Sequence, residues 1–140
     1  RVGVVGIGRG LSFANGAKFV GMELVALCDN REARLLEVGK QYNVATYTDY
    51  DKFLEHDLDA VILANFFHQH APFAIKALEA GKHVMSETMA CKTPAEGVAL
   101  VRAVEKSGGF IRLGKSVRCS MVKVNIIIQW MTELSMQFLR

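Results

Sequence analysis

The chain is poor in the residues and patterns that mark stapled, metal-bound or membrane proteins. Its three cysteines, Cys28, Cys91 and Cys119, are odd in number, far apart and without C-x-x-C spacing, which argues against a disulfide framework and a zinc site. No apolar stretch approaches the ~18 residues that cross a bilayer, so no membrane partner is expected. Arg1 runs straight into VGVV with neither a charged leader nor a cleavage site, and reduced thiols suit a cytoplasmic setting. Internal repeats, low-complexity blocks and flexible linkers are missing too. Ser–His–Asp, H-E-x-x-H and Walker patterns are also absent, which lowers hydrolase and phosphoryl-transfer readings.

What is present suits one packed domain. Hydrophobic residues make up 51% of the 140 and charged residues 22%, too apolar for a disordered chain and about the length of a single domain. The formal net charge of +3 is unevenly spread. Residues 1–111 hold 12 Lys/Arg against 13 Asp/Glu, whereas residues 112–140 hold five against one. The body is balanced and the basicity belongs to the tail, so no nucleic-acid partner is expected.

Patterning predicts strands alternating with helices. VGVVGIG is a β-branched run that ends in glycines and suits a strand buried on both faces. A helix over residues 11–20 follows, with Phe13, Ala14, Ala17 and Phe19 or Val20 inward, and then the strand ELVALCD. Residues 31–42 form an amphipathic helix with Leu35, Leu36 and Val38 inward, ahead of ATYT, a brief helix in DYDKFLEH, and DAVILAN. Residues 71–80 are helical, with Pro72 in the first turn and Gly81 just past the end. KHVMSE is a fifth strand. Thr93-Pro94-Ala95-Glu96 reads as a capping box opening a helix that stops at two glycines, before FIRLG. The expected architecture is α/β, a doubly wound, mostly parallel sheet of the Rossmann dinucleotide-binding type over residues 1–114.

Residues 115–140 break this rhythm. They are apolar, without glycine or proline, and would place Ile128, Met131, Leu134 and Phe138 on one side of a helix. That face must cover this domain, a second domain or a partner chain, so a homo-oligomer formed through the tail is one expectation.

The chemistry concentrates at the carboxyl ends of the strands. In Gly6-Ile7-Gly8-Arg9-Gly10-Leu11 the first two glycines suit a tight turn and close approach of backbone to a pyrophosphate, which Arg9 flanks. The third glycine expected at position 11 is displaced to Gly10, so the fingerprint is imperfect. Asp29 stands 23 residues after Gly6 at the end of the second strand, where an acid accepts ribose hydroxyls and repels a 2′-phosphate. The combination predicts NAD. Arg31, read as a solvated helix-start arginine, leaves NADP open. Beyond the fourth strand stand Asn65 and His68 as cofactor contacts, with His70 at the helix start and Phe66 and Phe67 read as core. Glu87 and Thr88 follow the fifth strand, where a carboxylate would contact the nicotinamide ribose or help place a substrate. Cys28 and Cys91 read as packing residues.

These segments resemble the Gfo/Idh/MocA oxidoreductases over residues 1–111. GIGRG, LCD, ANFFHQHAPFAIKALEAGKHV and SETMACKTPAEGVALVRAVEKSG match that family's glycine loop, second-strand acid, and the segments after its fourth and fifth strands. The resemblance implies an NAD(P)-dependent enzyme moving hydride to or from a sugar, cyclitol or polyol carbon, with Gly6, Gly8, Asp29, Asn65, His68 and Glu87 at the dinucleotide. It departs in three places. The family's EKP lysine and proline are Thr88 and Met89, which leaves the group that usually positions or protonates the substrate oxygen without an owner. The family's threonine and proline after the fourth strand are Asn65 and Phe66. Its second domain, which carries most substrate contacts, has no counterpart in these 140 residues, so cofactor binding with little or no turnover is expected. The alternative from another class is a cofactor-sensing or partner-binding Rossmann module without catalysis.

Overall fold

In the computed structural model, residues 1–87 and 89–113 are described. The expectations placed on Thr88 and on residues 115–140 lie outside the described residues. Among the described residues six strands form one sheet: β1 (Val2–Val5), β2 (Leu24–Cys28), β3 (Ala45–Tyr47), β4 (Ala60–Leu63), β5 (His83–Ser86) and β6 (Ile111–Leu113). The order is β3-β2-β1-β4-β5-β6 and every pairing is parallel. Parallel neighbours need crossovers, and five helices supply them: α1 (Gly10–Ala17), α2 (Glu32–Tyr42), α3 (Tyr50–Leu54), α4 (His70–Glu79) and α5 (Pro94–Ser107).

The strands are buried on both faces because successive side chains go to opposite layers. Val4, Leu27 and Ile62 pack with Phe13 of α1 and Leu35 of α2. Val5, Cys28 and Leu63 pack with Phe53 of α3, Ala74 of α4 and Leu100 of α5. Each layer has its own cluster, the signature of a doubly wound sheet. Gly3 belongs to this packing, since a Cβ there would stand 2.5 Å from the Phe53 ring.

Several local expectations are refined. The helix predicted over residues 11–20 is α1 followed by a 3₁₀ turn, Lys18–Val20, which buries Val20 and leaves Phe19 70% exposed. Leu36 faces outward, because Leu35 and Val38 already cover the strands. Gly81 and Gly108 end α4 and α5 with positive φ. Thr93 caps α5 by accepting from the Glu96 amide at 3.2 Å, but Glu96 closes the box one residue early, accepting from the Lys92 amide at 2.9 Å.

The chain runs outward from β1 through β2 to β3, then crosses to β4 on the other side of β1. The carboxyl ends of β1 and β4, in register at Val5 and Leu63, therefore feed loops that depart in opposite directions. A crevice opens between them, and ligands of such sheets bind there.

Candidate functional site

A cleft of about 650 Å³ occupies that switch point. Its walls come from the loop after β1 (Gly6, Gly8, Arg9), the end of β2 (Asp29, Asn30, Arg31), Thr48 and Tyr50 beyond β3, the loop after β4 (Asn65, Phe66, Gln69) and Glu87 after β5. Six predicted cofactor residues, Gly6, Gly8, Arg9, Asp29, Asn65 and Glu87, are thereby brought together.

The three loop glycines serve different ends. Gly6 has φ +92°, and a Cβ on it would lie 2.6 Å from the Ala64 carbonyl oxygen, so the loops after β1 and β4 touch backbone to backbone. Gly10 is buried, and its Cβ would meet Val4 Cγ1 at 2.6 Å. It performs the close helix-on-strand packing expected of position 11, so the displaced glycine is a shifted register rather than a lost function. Gly8 differs from both. A Cβ there would find one atom within 4 Å, Arg31 Nη2 at 3.8 Å, and the residue lines the cleft. The described residues give no steric reason for a glycine at that position.

Much of the loop's hydrogen bonding is internal. The Gly6 amide donates to the Cys28 carbonyl at 2.8 Å and the Gly10 amide to the Gly6 carbonyl at 3.1 Å. The Ile7 amide donates to Asp29 Oδ2 at 2.9 Å. Asp29 is thus a strut beneath the glycine loop as well as a wall of the cleft.

Arg31 holds the same carboxylate. Its backbone amide and Nε each donate to Oδ1 at 2.9 Å, and Nη2 donates to Oδ2 at 2.9 Å. The arginine expected to be solvated is instead a bidentate partner of Asp29, with its side chain 51% exposed and that of Asp29 7%. Burial alone would raise the carboxyl's pKa. The guanidinium bond, then the Arg31 and Ile7 amides, outweigh it and bring the value down to about 2. Neighbouring Cys28 is buried among apolar side chains, and desolvation, with the Asp29 and Asp49 charges behind it, pushes its thiol up to about 12. This agrees with a packing role.

On the far wall, Arg9 Nε and Glu87 Oε1 form an ion pair at 2.7 Å, joining the loops after β1 and β5 across the rim. The Glu87 amide donates to the Leu63 carbonyl at 2.9 Å and continues the sheet to that point. Asn65 donates through Nδ2 to Gln69 Oε1 at 3.1 Å. Its Oδ1 is the single buried side-chain oxygen or nitrogen without a partner among the described residues, and a group of that kind calls for an explanation.

The histidines and phenylalanines after β4 take different places. His68 is exposed, its ring centroid 5.9 Å from that of Phe66, and it is not among the residues lining the cleft. His70 is 1% exposed. Nε2 lies 3.2 Å from the Asn65 carbonyl oxygen, and Nδ1 lies 2.9 Å from Ser86 Oγ and 3.3 Å from the Met89 carbonyl oxygen. It ties the loop after β4 to the loop after β5. Phe66 and Phe67, read as core, are 68% and 51% exposed, and Phe66 lines the cleft. An apolar run is a poor guide to burial once the strand has ended.

Thr48, Tyr50 and Gln69 escaped the sequence reading. Tyr50 is buried, stacks on Phe73 at 4.1 Å between centroids, and donates to the Phe73 carbonyl at 2.9 Å. Its aromatic position in a short helix offered no signal separate from core packing.

Known proteins share this fold. The chain matches the oxidoreductase family with an NAD-binding Rossmann fold over residues 1–115. It is similar to the WlbA dehydrogenase of Bordetella pertussis, solved with NADH and UDP-GlcNAcA, at 28% identity and TM-score 0.74, covering 81% of this chain and 35% of that one. Likeness to the biliverdin reductase of Synechocystis, solved with biliverdin and NADP+, is 27% identity and TM-score 0.75 over 81% of this chain and 37% of that one. A curated relative, an alpha-N-acetylgalactosaminidase of Bacteroides fragilis, is 31% identical over 119 residues, 76% of this chain and 28% of that protein. The chain thus spans about a quarter to two fifths of the length of these relatives. The match over residues 1–115, on a fold and cleft of this kind, shows that the chain belongs to the Gfo/Idh/MocA oxidoreductase family through its NAD-binding Rossmann domain.

Proposed function

We propose that residues 1–114 are the cofactor-holding part of an NAD(P)-dependent oxidoreductase that acts on a hydroxyl-bearing carbon of a sugar or polyol. The observation that carries this reading is Gly8. It is a glycine that no described residue requires, lying open to the crevice at the switch point, where backbone must approach a diphosphate closely. The buried Asn65 Oδ1 supports it, being an acceptor that awaits a donor such as a ribose hydroxyl or a carboxamide.

The nicotinamide group, when bound, supplies the hydride chemistry. The chain's own residues bind and orient. The Gly8 amide faces the diphosphate, since those of Gly6, Ile7, Gly10 and Ser12 are bonded internally. Asn65 and Glu87 meet the nicotinamide half, and Phe66 walls it from water. His70 acts through these residues by holding their loops in register.

No lysine lines the cleft among the described residues. Lys82 donates to the Leu58 carbonyl at 2.8 Å, before β5, and Lys92 pairs with Glu96 at 3.6 Å. The sugar class is supported by two relatives, one crystallised with UDP-GlcNAcA and one named for cleaving N-acetylgalactosamine.

The test is thermal unfolding of the 140-residue chain with NAD and NADP. Ligand at a hundred times its Kd adds about 2.7 kcal/mol to the native state, an upward shift of several degrees for a domain of this size. A midpoint indifferent to both dinucleotides would reject the reading. A second reading is favoured by the curated relatives: the same cleft serving an enzyme that cleaves a glycoside. Release of nitrophenol from a nitrophenyl N-acetylgalactosaminide by a longer chain carrying this domain, without net reduction of NAD, would support it.

A further inference from the structure

We propose that Ser86 and His70 form a buried hydroxyl–imidazole relay that aims Asn65 into the cleft, which makes Ser86 a positioning residue for the bound dinucleotide. The inference rests on the dinucleotide reading above and adds to it the group through which the end of β5 acts on that site.

Ser86 closes β5, opposite Leu63 in the register with β4, and is fully buried. A hydroxyl taken out of water must be bonded. Its Oγ lies 2.9 Å from His70 Nδ1, and the other ring nitrogen, Nε2, lies 3.2 Å from the Asn65 carbonyl oxygen. A carbonyl only accepts, and a neutral imidazole carries one N–H. With the proton on Nε2, that nitrogen donates to Asn65 while Nδ1 accepts from the Ser86 hydroxyl. With the proton on Nδ1, a buried lone pair at Nε2 would face the Asn65 oxygen. The Met89 carbonyl, 3.3 Å from Nδ1, pulls toward the second form, but Met89 is 57% exposed and water can serve it. The geometry therefore selects the Nε2–H tautomer, and the Ser86 hydroxyl holds it there.

What the relay holds is the residue with the unmet acceptor. Asn65 is fixed at its carbonyl by His70, and its Nδ2 donates to Gln69 Oε1 at 3.1 Å. Its Oδ1, buried and unpartnered among the described residues, is thereby set in direction before a ligand arrives. Less side-chain freedom is then lost on binding. Without the Ser86 hydroxyl the ring is free to turn its proton to Nδ1 and Met89, and the Asn65 carbonyl loses its donor.

The experiment is an NADH fluorescence titration of the 140-residue chain, S86A, N65A and the double variant, with the His70 tautomer read by NMR of the ring nitrogens in alkaline buffer. The expected wild-type ring is protonated at Nε2. S86A weakens NADH binding by about twofold to tenfold, the range of one neutral hydrogen bond. In the N65A background the same change has no further effect, because residues acting through one group are not additive. A merely structural serine would weaken binding equally in both backgrounds. If S86A does not fold, S86C, which keeps the volume and offers only a weak donor, is read by the same criteria. Wild-type affinity in S86A or N65A, an S86A effect undiminished in N65A, or a ring protonated at Nδ1 overturns the relay while leaving dinucleotide binding intact. Failure of the wild type to bind NADH overturns the dinucleotide reading, and this proposal with it.

Discussion

Replacing Gly8 with alanine separates folding from binding. The added methyl would have one neighbour within 4 Å, Arg31 Nη2 at 3.8 Å, an ordinary contact. The position is exposed, and its φ is not in the left-handed region, so the native state tolerates the change. A glycine-to-alanine change at a compatible position stabilises by about 0.4–1 kcal/mol, through lost freedom in the unfolded chain. Binding should suffer. A phosphate oxygen sits ~2.7–2.9 Å from a donating nitrogen, and a methyl on the adjacent carbon holds it off. Charge-assisted hydrogen bonds contribute about 1.5–3 kcal/mol each, so losing one lowers affinity roughly tenfold to a hundredfold. Thermal unfolding and NADH fluorescence titration on the same samples give both numbers. A G8A chain that binds NADH with wild-type affinity would refute the placement of the diphosphate. One that loses stability would refute the claim that the protein has no steric need for this glycine.

Gly6→Ala should do the reverse of G8A, destabilising by about 2 kcal/mol or more through a positive φ and overlap with the Ala64 carbonyl, as a lowered denaturation midpoint in urea would show. Asp29 is held at about 2, below its ordinary 3.8, so its stabilisation is present above pH ~4 and is lost as pH falls through 2. Allowing for solvent around the half-exposed guanidinium, it amounts to about 1–2 kcal/mol. Acid titration of D29N beside wild type should show a flatter loss of stability in that window, and the difference isolates Asp29 from Asp59, which is also held at about 2. His70→Ala removes a buried ring bonded to Asn65 and Ser86 and should cost about 2–3 kcal/mol. It should also weaken cofactor binding, and hydrogen exchange should show less protection at residues 64–69 and 86–89.

The fold was legible because its signals are one-dimensional. Runs such as VGVV and AVIL are buried at all four positions, and unbroken apolar runs separated by helical periods admit few arrangements other than a parallel sheet with crossovers. The helix ends were legible where a single residue type is chemically required, as with Thr93 and the glycines at 81 and 108. Phe66 and Phe67 were misread because hydrophobicity reports a tendency to be buried by something. Beyond the last residue of a strand that partner need not be the core.

The cleft was legible in part of its lining and not in its wiring. Glycine spacing and an acid at a fixed distance mark the crevice, because both follow from the length of one βαβ unit. What Asp29 does there depends on Arg31, two residues on, and on the Ile7 amide, 22 residues back. No spacing rule carries the direction in which a guanidinium turns. The same carboxylate at the same distance can be a bare acceptor for ribose or a fully bonded base for a cation, and the two differ in the sign of charge offered to the ligand. Reading the site from the acid alone therefore leaves out the arginine bonded to it. The informative unit is the pair, and its geometry exists only once the loop and the strand end are folded against each other.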